Sequence, residues 1–181
     1  MGISKVNARA VFLDRDGVIN KVVFRNGLPA SPRSLDEFVF NDGIRETVRR
    51  LKDGGFKIIV ISNQPDWARG EIAKGVLDLM TQRMRWEIPM DDVYICFHDD
   101  HHQCSCRKPK PGMLIQASSK WNIDLKVSFL IGDTWKDMEA GKAVGCKTIL
   151  LDTSYNQDVQ SDFRVKSLSE AADLIIKTSN L

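Results

Sequence analysis

Five short apolar runs recur along the chain, and stretches of helical periodicity separate them. The runs span residues 9–14, 56–62, 92–96, 127–132 and 147–152. Nearly continuous apolar runs of this length are typical of parallel strands that are covered on both faces. The alternation therefore predicts right-handed βαβ units that form one α/β domain with a Rossmann-like, doubly wound parallel sheet.

Apolar residues in the intervening stretches recur at intervals of three and four, which places them on one face of a helix. Five helices are predicted, with these marker residues: Ile44, Val48 and Leu51; Ile72, Val76, Met80 and Met84; Leu114, Ala117 and Trp121; Trp135 and Met138; Leu168, Ala172, Ile175 and Ile176. Gly54 and Gly55 are expected to end the first of these helices.

The segment 20–36 carries one glycine and two prolines around the apolar residues Val22, Val23 and Phe24. This pattern indicates a hairpin flap beside the first strand. No insertion is long enough for a large cap domain. We therefore predict a single domain over residues 1–181.

Composition excludes several classes of function. The 181 residues carry a net charge of only +2, which does not indicate a nucleic-acid or membrane partner. Residues 1–8 lack the apolar core of a signal peptide, and no run reaches transmembrane length. We therefore expect a cytoplasmic monomer whose partner is a small molecule, with no nucleic-acid and no membrane partner.

Two acidic residues, Asp14 and Asp16, follow the first apolar run at the point where its strand must end. Two carboxylates this close repel each other unless a cation lies nearby. Such a pair is suited to phosphate-ester chemistry, with Asp14 as nucleophile and metal ligand and Asp16 as general acid and base. Gly17 allows the chain to turn sharply away.

Further polar residues follow other strands of the predicted sheet. Asp133 is expected to be a second metal carboxylate, and an oxygen-rich site of this kind favours magnesium. Asp137, one helical turn later, either orients that site or caps its helix. Ser62 and Asn63 can donate to phosphoryl oxygens, and Lys108 can stabilise charge on the transferred group.

Three of the four cysteines lie within one loop, residues 96–106, and a histidine lies among them. In a cytosolic chain, such clustering favours metal binding over disulfides. The predicted ligands of a structural zinc ion are Cys96, His98, Cys104 and Cys106. His101 and His102 compete with His98 for the fourth position. Zinc here would pin the loop that presents Lys108.

Four segments together resemble the motifs of haloacid dehalogenase-like (HAD) phosphatases. They are Asp14-Arg15-Asp16-Gly17, Ser62-Asn63-Gln64, Arg107-Lys108-Pro109 and Gly132-Asp133. Their order and spacing agree across residues 9–152. The zinc loop and the missing cap are similar to a smaller branch of this family that contains heptose bisphosphate phosphatases and histidinol-phosphate phosphatases.

The resemblance implies magnesium-dependent hydrolysis of a phosphomonoester through phospho-Asp14. It implies that magnesium is held by Asp14, the main-chain carbonyl of Asp16, and Asp133. It also implies that Ser62 and Lys108 are catalytic phosphate binders. The expected substrate-binding residues are Asn63, Arg69, Arg107 and Thr134. Arg25, Arg69 and Arg107 are candidate clamps for a distal phosphate.

The resemblance leaves several substrates open. Ala68-Arg69-Gly70 looks like the heptose enzymes, and a heptose bisphosphate of bacterial envelope (lipopolysaccharide) sugar synthesis is the favoured substrate. The five-residue spacer between His98 and Cys104 looks more like the histidinol-phosphate enzymes. A nucleic-acid 3′-phosphate and a non-enzymatic phospho-receiver are further alternatives. The acid/base position of Asp16 argues against the receiver.

Overall fold

The computed structural model describes residues 7–179. The expectation that residues 1–8 are not a signal peptide therefore falls largely outside the described residues. In chain order the elements are β1 (Ala10–Leu13), β2 (Val23–Arg25), β3 (Leu28–Ala30), α1 (Ile44–Asp53), β4 (Lys57–Asn63), α2 (Lys74–Glu87), β5 (Asp92–Cys96), α3 (Gly112–Trp121), β6 (Phe129–Gly132), α4 (Trp135–Lys142), β7 (Lys147–Leu151), β8 (Phe163–Val165) and α5 (Leu168–Ser179).

Six of the strands form one sheet with the order β5-β4-β1-β6-β7-β8, and all neighbouring pairs are parallel. The predicted doubly wound sheet is therefore confirmed. The chain proceeds from β1 to β4 and β5, then crosses back to place β6 on the other side of β1. In such sheets, ligands bind beyond the carboxyl ends of the strands at the point of reversal. Asp14 and Asp133 follow the two strands at that point.

Each strand contributes to two apolar layers because successive side chains of a strand point to opposite faces. In β1, Val11 and Leu13 join the layer that contains buried residues of α1, α2 and α5. Ala10 and Phe12 join the opposite layer, with residues of α3 and α4. All four side chains are fully buried. Burial on both faces explains why the run is apolar without interruption.

Some predicted details differ from the structure. The three-residue edge strand β8 was not predicted, because it is too short to give a periodic signal. Strand β6 begins at Phe129, since a 3₁₀ turn occupies Leu125–Val127. Trp135 begins α4 but is 52% exposed, so it does not mark the buried face. Ile72 is buried but precedes α2.

The predicted hairpin flap is present. Strands β2 and β3 pair antiparallel across Asn26 and Gly27, which both have positive φ, as tight hairpin turns require. The flap leaves Phe24 60% exposed. Between residues 7 and 179 there is no cap domain beyond this hairpin. Nor does any helix in that range have the length and apolar character to cross a membrane.

Candidate active site

Three carboxylates converge beyond the carboxyl ends of β1 and β6. Asp14 follows β1, Asp133 follows β6, and Asp137 lies in the first turn of α4. Each can offer an oxygen within 4.8 Å of the oxygens of the other two. Their exposed fractions are only 8%, 1% and 0%. The sheet topology therefore gathers acids that are far apart in sequence into one buried cluster.

Lys108 is the cation of this cluster. Its ammonium lies 2.8 Å from Asp14 Oδ1 and 2.5 Å from Asp137 Oδ1, and it donates to the Ile61 carbonyl at 3.2 Å. Burial alone would lower the pKa of Lys108, but Asp137 and Asp14 raise it above its ordinary value. The lysine therefore stays charged, and one cation faces three acids.

Burial and the surplus of acids together raise the pKa of Asp14 and of Asp133. Burial, followed by the charge of Asp137, raises the pKa of Asp14 well above its ordinary value. The same two causes raise the pKa of Asp133 to about 7. Carboxylates that resist ionisation in this way are stabilised by an additional positive charge.

Asp133 has the geometry of a metal ligand. Its Oδ1 atom is buried and has no hydrogen-bond partner among the described residues, which is uncommon for a carboxylate oxygen. Its Oδ2 atom accepts a hydrogen bond from Tyr155 Oη at 2.5 Å. Gly17, at φ +87°, lets the chain approach, because a Cβ there would lie 2.0 Å from Asp133 Oδ2. The cluster therefore fits a hard divalent cation such as Mg²⁺.

Asp16 is turned toward a network of donors. Its carboxylate accepts hydrogen bonds from Arg15 Nε and Nη2 at 2.9 and 3.0 Å, Asn20 Nδ2 at 2.9 Å, Ser31 Oγ at 2.7 Å and Gln64 Nε2 at 2.8 Å. Burial alone would raise the pKa of Asp16, but Arg15 and these hydrogen bonds lower it. Asp16 is therefore ionised in this state.

The side chains of the motif Ser62-Asn63-Gln64 form hydrogen bonds with Lys108 and with one another. Asn63 Nδ2 donates to the Lys108 carbonyl at 3.0 Å, and the Lys108 amide donates to Asn63 Oδ1 at 3.0 Å. Buried Ser62 accepts from Gln64 Nε2 at 2.9 Å. Thr134 caps α4, since its amide and hydroxyl donate to Asp137 Oδ2. Both Asn63 and Thr134 still line the cleft.

Asp14, Asp16 and Asp133 line a cleft of about 400 Å³, together with Lys108 and five further cationic side chains, Arg25, Arg33, Arg69, Arg107 and Lys136. All three candidate clamps pair with a carboxylate: Arg25 pairs with Glu37, Arg69 binds Asp99 with two hydrogen bonds, and Arg107 pairs with Asp100. Arg107 Nε donates to Asp100 at 2.7 Å, but its Nη1 is buried without a partner among the described residues.

The cysteine loop forms a compact set of ligands. The three Sγ atoms of Cys96, Cys104 and Cys106 lie 3.2–3.6 Å apart. His98 Nδ1 lies 3.3 Å from Cys106 Sγ and 3.6 Å from Cys96 Sγ. Tetrahedral zinc with bonds of about 2.0–2.3 Å separates its ligand atoms by about 3.3–3.8 Å, so these four residues fit zinc. His102 instead accepts a hydrogen bond from the Asp99 amide.

Sequence reasoning missed the residues that support the carboxylates. Tyr155 and Asn156 lie in the irregular segment after β7, where no periodic signal exists. Asn156 Nδ2 donates to the Asp133 carbonyl at 2.8 Å and to the Leu151 carbonyl at 2.9 Å. Gln64 belongs to the motif Ser62-Asn63-Gln64 at the end of β4. Its hydrogen bond to Asp16 is the one missed contact that the motif's position beside β1 could have indicated.

Comparison with known proteins agrees with this geometry. The family model described as haloacid dehalogenase-like hydrolase matches residues 31–145. The chain belongs to the haloacid dehalogenase-like hydrolases. The resemblance noted from the four motifs is thus confirmed, and so is the expected enzyme class, since the matched relatives are curated phosphatases.

Two of these HAD relatives bear the name D-glycero-beta-D-manno-heptose-1,7-bisphosphate 7-phosphatase. The protein of Pasteurella multocida is 34% identical over 183 residues, which cover 92% of this chain and 96% of the relative. The protein of Escherichia coli K12 is 36% identical over 154 residues, which cover 78% of each chain. Both matches extend well beyond the motifs.

A solved HAD structure supports the fold. The D,D-heptose 1,7-bisphosphate phosphatase of B. bronchiseptica, complexed with magnesium and phosphate, has a TM-score of 0.82 to this chain. Its sequence is 24% identical, and the match covers 94% of this chain and 99% of that one. The fold of most of this chain therefore matches that of the solved structure.

Proposed function

We propose that this protein is a magnesium-dependent phosphatase that removes the 7-phosphate of D-glycero-β-D-manno-heptose 1,7-bisphosphate. The reaction class is carried by one observation, the buried cluster of Asp14, Lys108 and Asp133, whose Oδ1 atom has no partner among the described residues. The substrate is supported by the two relatives at 34% and 36% identity that bear this name.

In the proposed reaction, a carboxylate oxygen of Asp14 attacks phosphorus and the P–O bond to the sugar breaks. Asp16, in its protonated form, donates its proton to the departing sugar oxygen. The ionised Asp16 then accepts a proton from water, whose oxygen attacks the phospho-Asp14 and releases phosphate. The donors around Asp16 favour the ionised form, which suits the step in which Asp16 accepts a proton from water. The earlier step, in which protonated Asp16 donates to the sugar oxygen, requires Asp16 to break some of these hydrogen bonds.

The charge of the transferred group is balanced by fixed groups. The Lys108 ammonium, 2.8 Å from Asp14 Oδ1, faces the phosphoryl oxygens as they accumulate charge. Asp14, Asp133 and the main-chain carbonyl of Asp16 would hold Mg²⁺, which supplies the positive charge that brings two anions together. Asp137 holds Lys108 in place through its Oδ1 atom.

The remaining phosphate of the sugar needs a cation with an unused donor. Lys136 lines the cleft and forms no ion pair with any described residue. Arg107 binds Asp100 only through Nε, and its buried Nη1 has no partner among the described residues, whereas Arg69 binds Asp99 through both Nε and Nη2 and Arg25 pairs with Glu37. Arg107 and Lys136 are therefore the proposed contacts of the distal phosphate.

A phosphate-release assay with Mg²⁺ tests the proposal. The substrates are the β and α anomers of the heptose bisphosphate, histidinol phosphate and the chromogenic monoester p-nitrophenyl phosphate. We expect the β anomer to have the highest kcat/KM. Faster turnover of histidinol phosphate would overturn the substrate assignment, and no turnover of any monoester would overturn the reaction class.

A lysine pair on α4 tests the distal contact. Lys136→Ala should lower kcat/KM for the bisphosphate about tenfold, as expected for one lost charged contact, and leave the chromogenic monoester unaffected. Lys142→Ala, at the other end of the same helix, is the matched control. The same loss with both substrates would contradict a distal role.

Zinc bound by Cys96, His98, Cys104 and Cys106 is proposed as scaffold because the set is closed and holds no position open for substrate. The expected monomeric state and cytoplasmic location stay predictions.

A further inference from the structure

The two oxygens of Asp133 are in different situations. Oδ2 lies beside Gly17, where a Cβ would come within 2.0 Å of it, and accepts a hydrogen bond from the Tyr155 hydroxyl at 2.5 Å. Oδ1 is buried and has no partner among the described residues. The carboxylate thus has one restrained oxygen and one oxygen without a described partner, and it offers an oxygen within 4.8 Å of oxygens of Asp14 and Asp137.

Tyr155 is itself held from two sides. The ring of Phe24, on the flap, packs edge-on against the Tyr155 ring with centroids 6.2 Å apart and an interplanar angle of 66°. The next residue, Asn156, is buried and bonded to the main chain at Asp133 and Leu151. The phenol is therefore positioned by contacts that do not depend on Asp133's own side chain.

We propose that Tyr155 is a positioning residue that restrains Asp133 to one-oxygen coordination and thereby favours Mg²⁺ over larger cations, with Phe24 of the flap holding the phenol in place. The proposal rests on the proposed magnesium-dependent function. Hydrogen bonds to a ligating carboxylate fix its orientation, and losing one typically weakens metal binding about 10–100-fold.

The choice of cation follows from coordination geometry. Mg²⁺ requires near-ideal octahedral geometry with short bonds, whereas Ca²⁺ accepts carboxylates through one oxygen or two. Without the Tyr155 hydroxyl, Oδ2 is released and Asp133 can rotate toward a two-oxygen mode. That change disfavours Mg²⁺ and is tolerated by Ca²⁺.

The test measures Mg²⁺ and Ca²⁺ binding separately by calorimetry on the zinc-loaded full chain without substrate. Tyr155→Phe keeps the ring and its contact with Phe24. We expect it to weaken Mg²⁺ binding about tenfold and Ca²⁺ binding less than about threefold. A Mg²⁺ affinity within twofold of the unmodified protein, or equal losses for both cations, would overturn the proposal.

The chain offers a matched control, because it has only two tyrosines. Tyr94→Phe, on β5, makes the same chemical change away from the carboxylates and should leave both affinities unchanged. An equal effect of Tyr94→Phe on Mg²⁺ binding would overturn the proposal, because the effect would then not be specific to Asp133.

A second variant keeps the test decisive if Tyr155→Phe does not fold. Phe24→Ala alters a side chain that is largely exposed and should weaken Mg²⁺ binding about threefold, the scale of one lost aromatic pair. Unchanged Mg²⁺ affinity in this variant would overturn the role of the flap contact. Because no substrate is present, failure of the heptose bisphosphate assay leaves these binding results interpretable.

Discussion

The molecule contains two sets of side chains that fit a metal, and they are built in opposite ways. The cysteine loop takes all four of its ligands from residues 96–106. The carboxylate cluster takes Asp14 from the end of the first strand of the sheet and Asp133 from the end of its fourth in chain order. One set is defined by sequence spacing and the other by sheet topology. Local patterns can therefore reveal the first, while the second needs the fold.

The two sets also differ in how completely their ligands satisfy one another. The carboxylates repel each other, and the Oδ1 atom of Asp133 has no partner within residues 7–179. The thiols and His98 contact each other in a closed group. Lys108, two residues after Cys106, joins the loop to the carboxylates. Damage to the loop should therefore reach the active site, whereas damage to the carboxylates should not reach the loop.

The largest expected effect is on catalysis alone. Asp14→Asn should lower kcat at least about 1,000-fold, because an amide is not a nucleophile for phosphorus. Zinc content and melting temperature should stay close to those of the unmodified protein. Phosphate release and metal analysis measure both. Asp53→Asn, an exposed acid at the end of α1, is the control. Residual activity above one part in a thousand would remove Asp14 from the covalent role.

The next largest effect is a change in the cysteine loop that also lowers activity at the carboxylate cluster. Cys104→Ser should reduce zinc content, lower the melting temperature by roughly 5–10 °C and reduce kcat, because the loop that carries Lys108 loses an anchor. Calorimetry, metal analysis and phosphate release give the three values.

Cys146→Ala is the control for the cysteine change, since Cys146 is buried in the apolar layer under α3 and should leave zinc content unaffected. Full zinc content in Cys104→Ser would exclude Cys104 as a ligand. Reduced zinc with full activity would show that the two sets are independent.

The smallest expected effect is a pH dependence of the stabilisation by Mg²⁺, which involves the carboxylate cluster and not the cysteine loop. The folded-state pKa of Asp133 is about 7, against an ordinary value of 3.8. The raised pKa stabilises the magnesium-free protein at low pH, and this contribution is lost as pH rises from about 4 to about 7. Mg²⁺ competes with that proton. Added Mg²⁺ should therefore raise the melting temperature by a few degrees at about pH 8 and by less at about pH 5.

The comparison at two pH values has its own control. Asp133→Asn removes the titrating group, so the Mg²⁺-dependent shift should become small at both pH values. An equal Mg²⁺-dependent shift at both pH values in the unmodified protein would contradict the link between Asp133 and metal binding.

Sequence reasoning reached the sheet, the flap and the strand-end acids because each leaves a local signal. Continuous apolar runs gave the strands, and Asp14 and Asp133 directly follow two of them. Tyr155 leaves no such signal, since its contact with Asp133 depends on how an irregular segment returns to the sheet. The pairing of Arg69 with Asp99 was equally hidden. An arginine beside a cleft looks the same in sequence whether it is free or neutralised.

The reciprocal pair of hydrogen bonds between the Asn63 amide group and the main chain of Lys108 has a consequence for protein engineering. It fastens the chain directly after the metal loop, while Cys96 fastens the chain before it as the last residue of β5. Between these two anchors, the longest stretch that contains none of the four metal-ligand candidates is residues 99–103. A change of length confined to these residues would keep both anchors and all four ligands, and so should leave the position of the Lys108 ammonium unchanged.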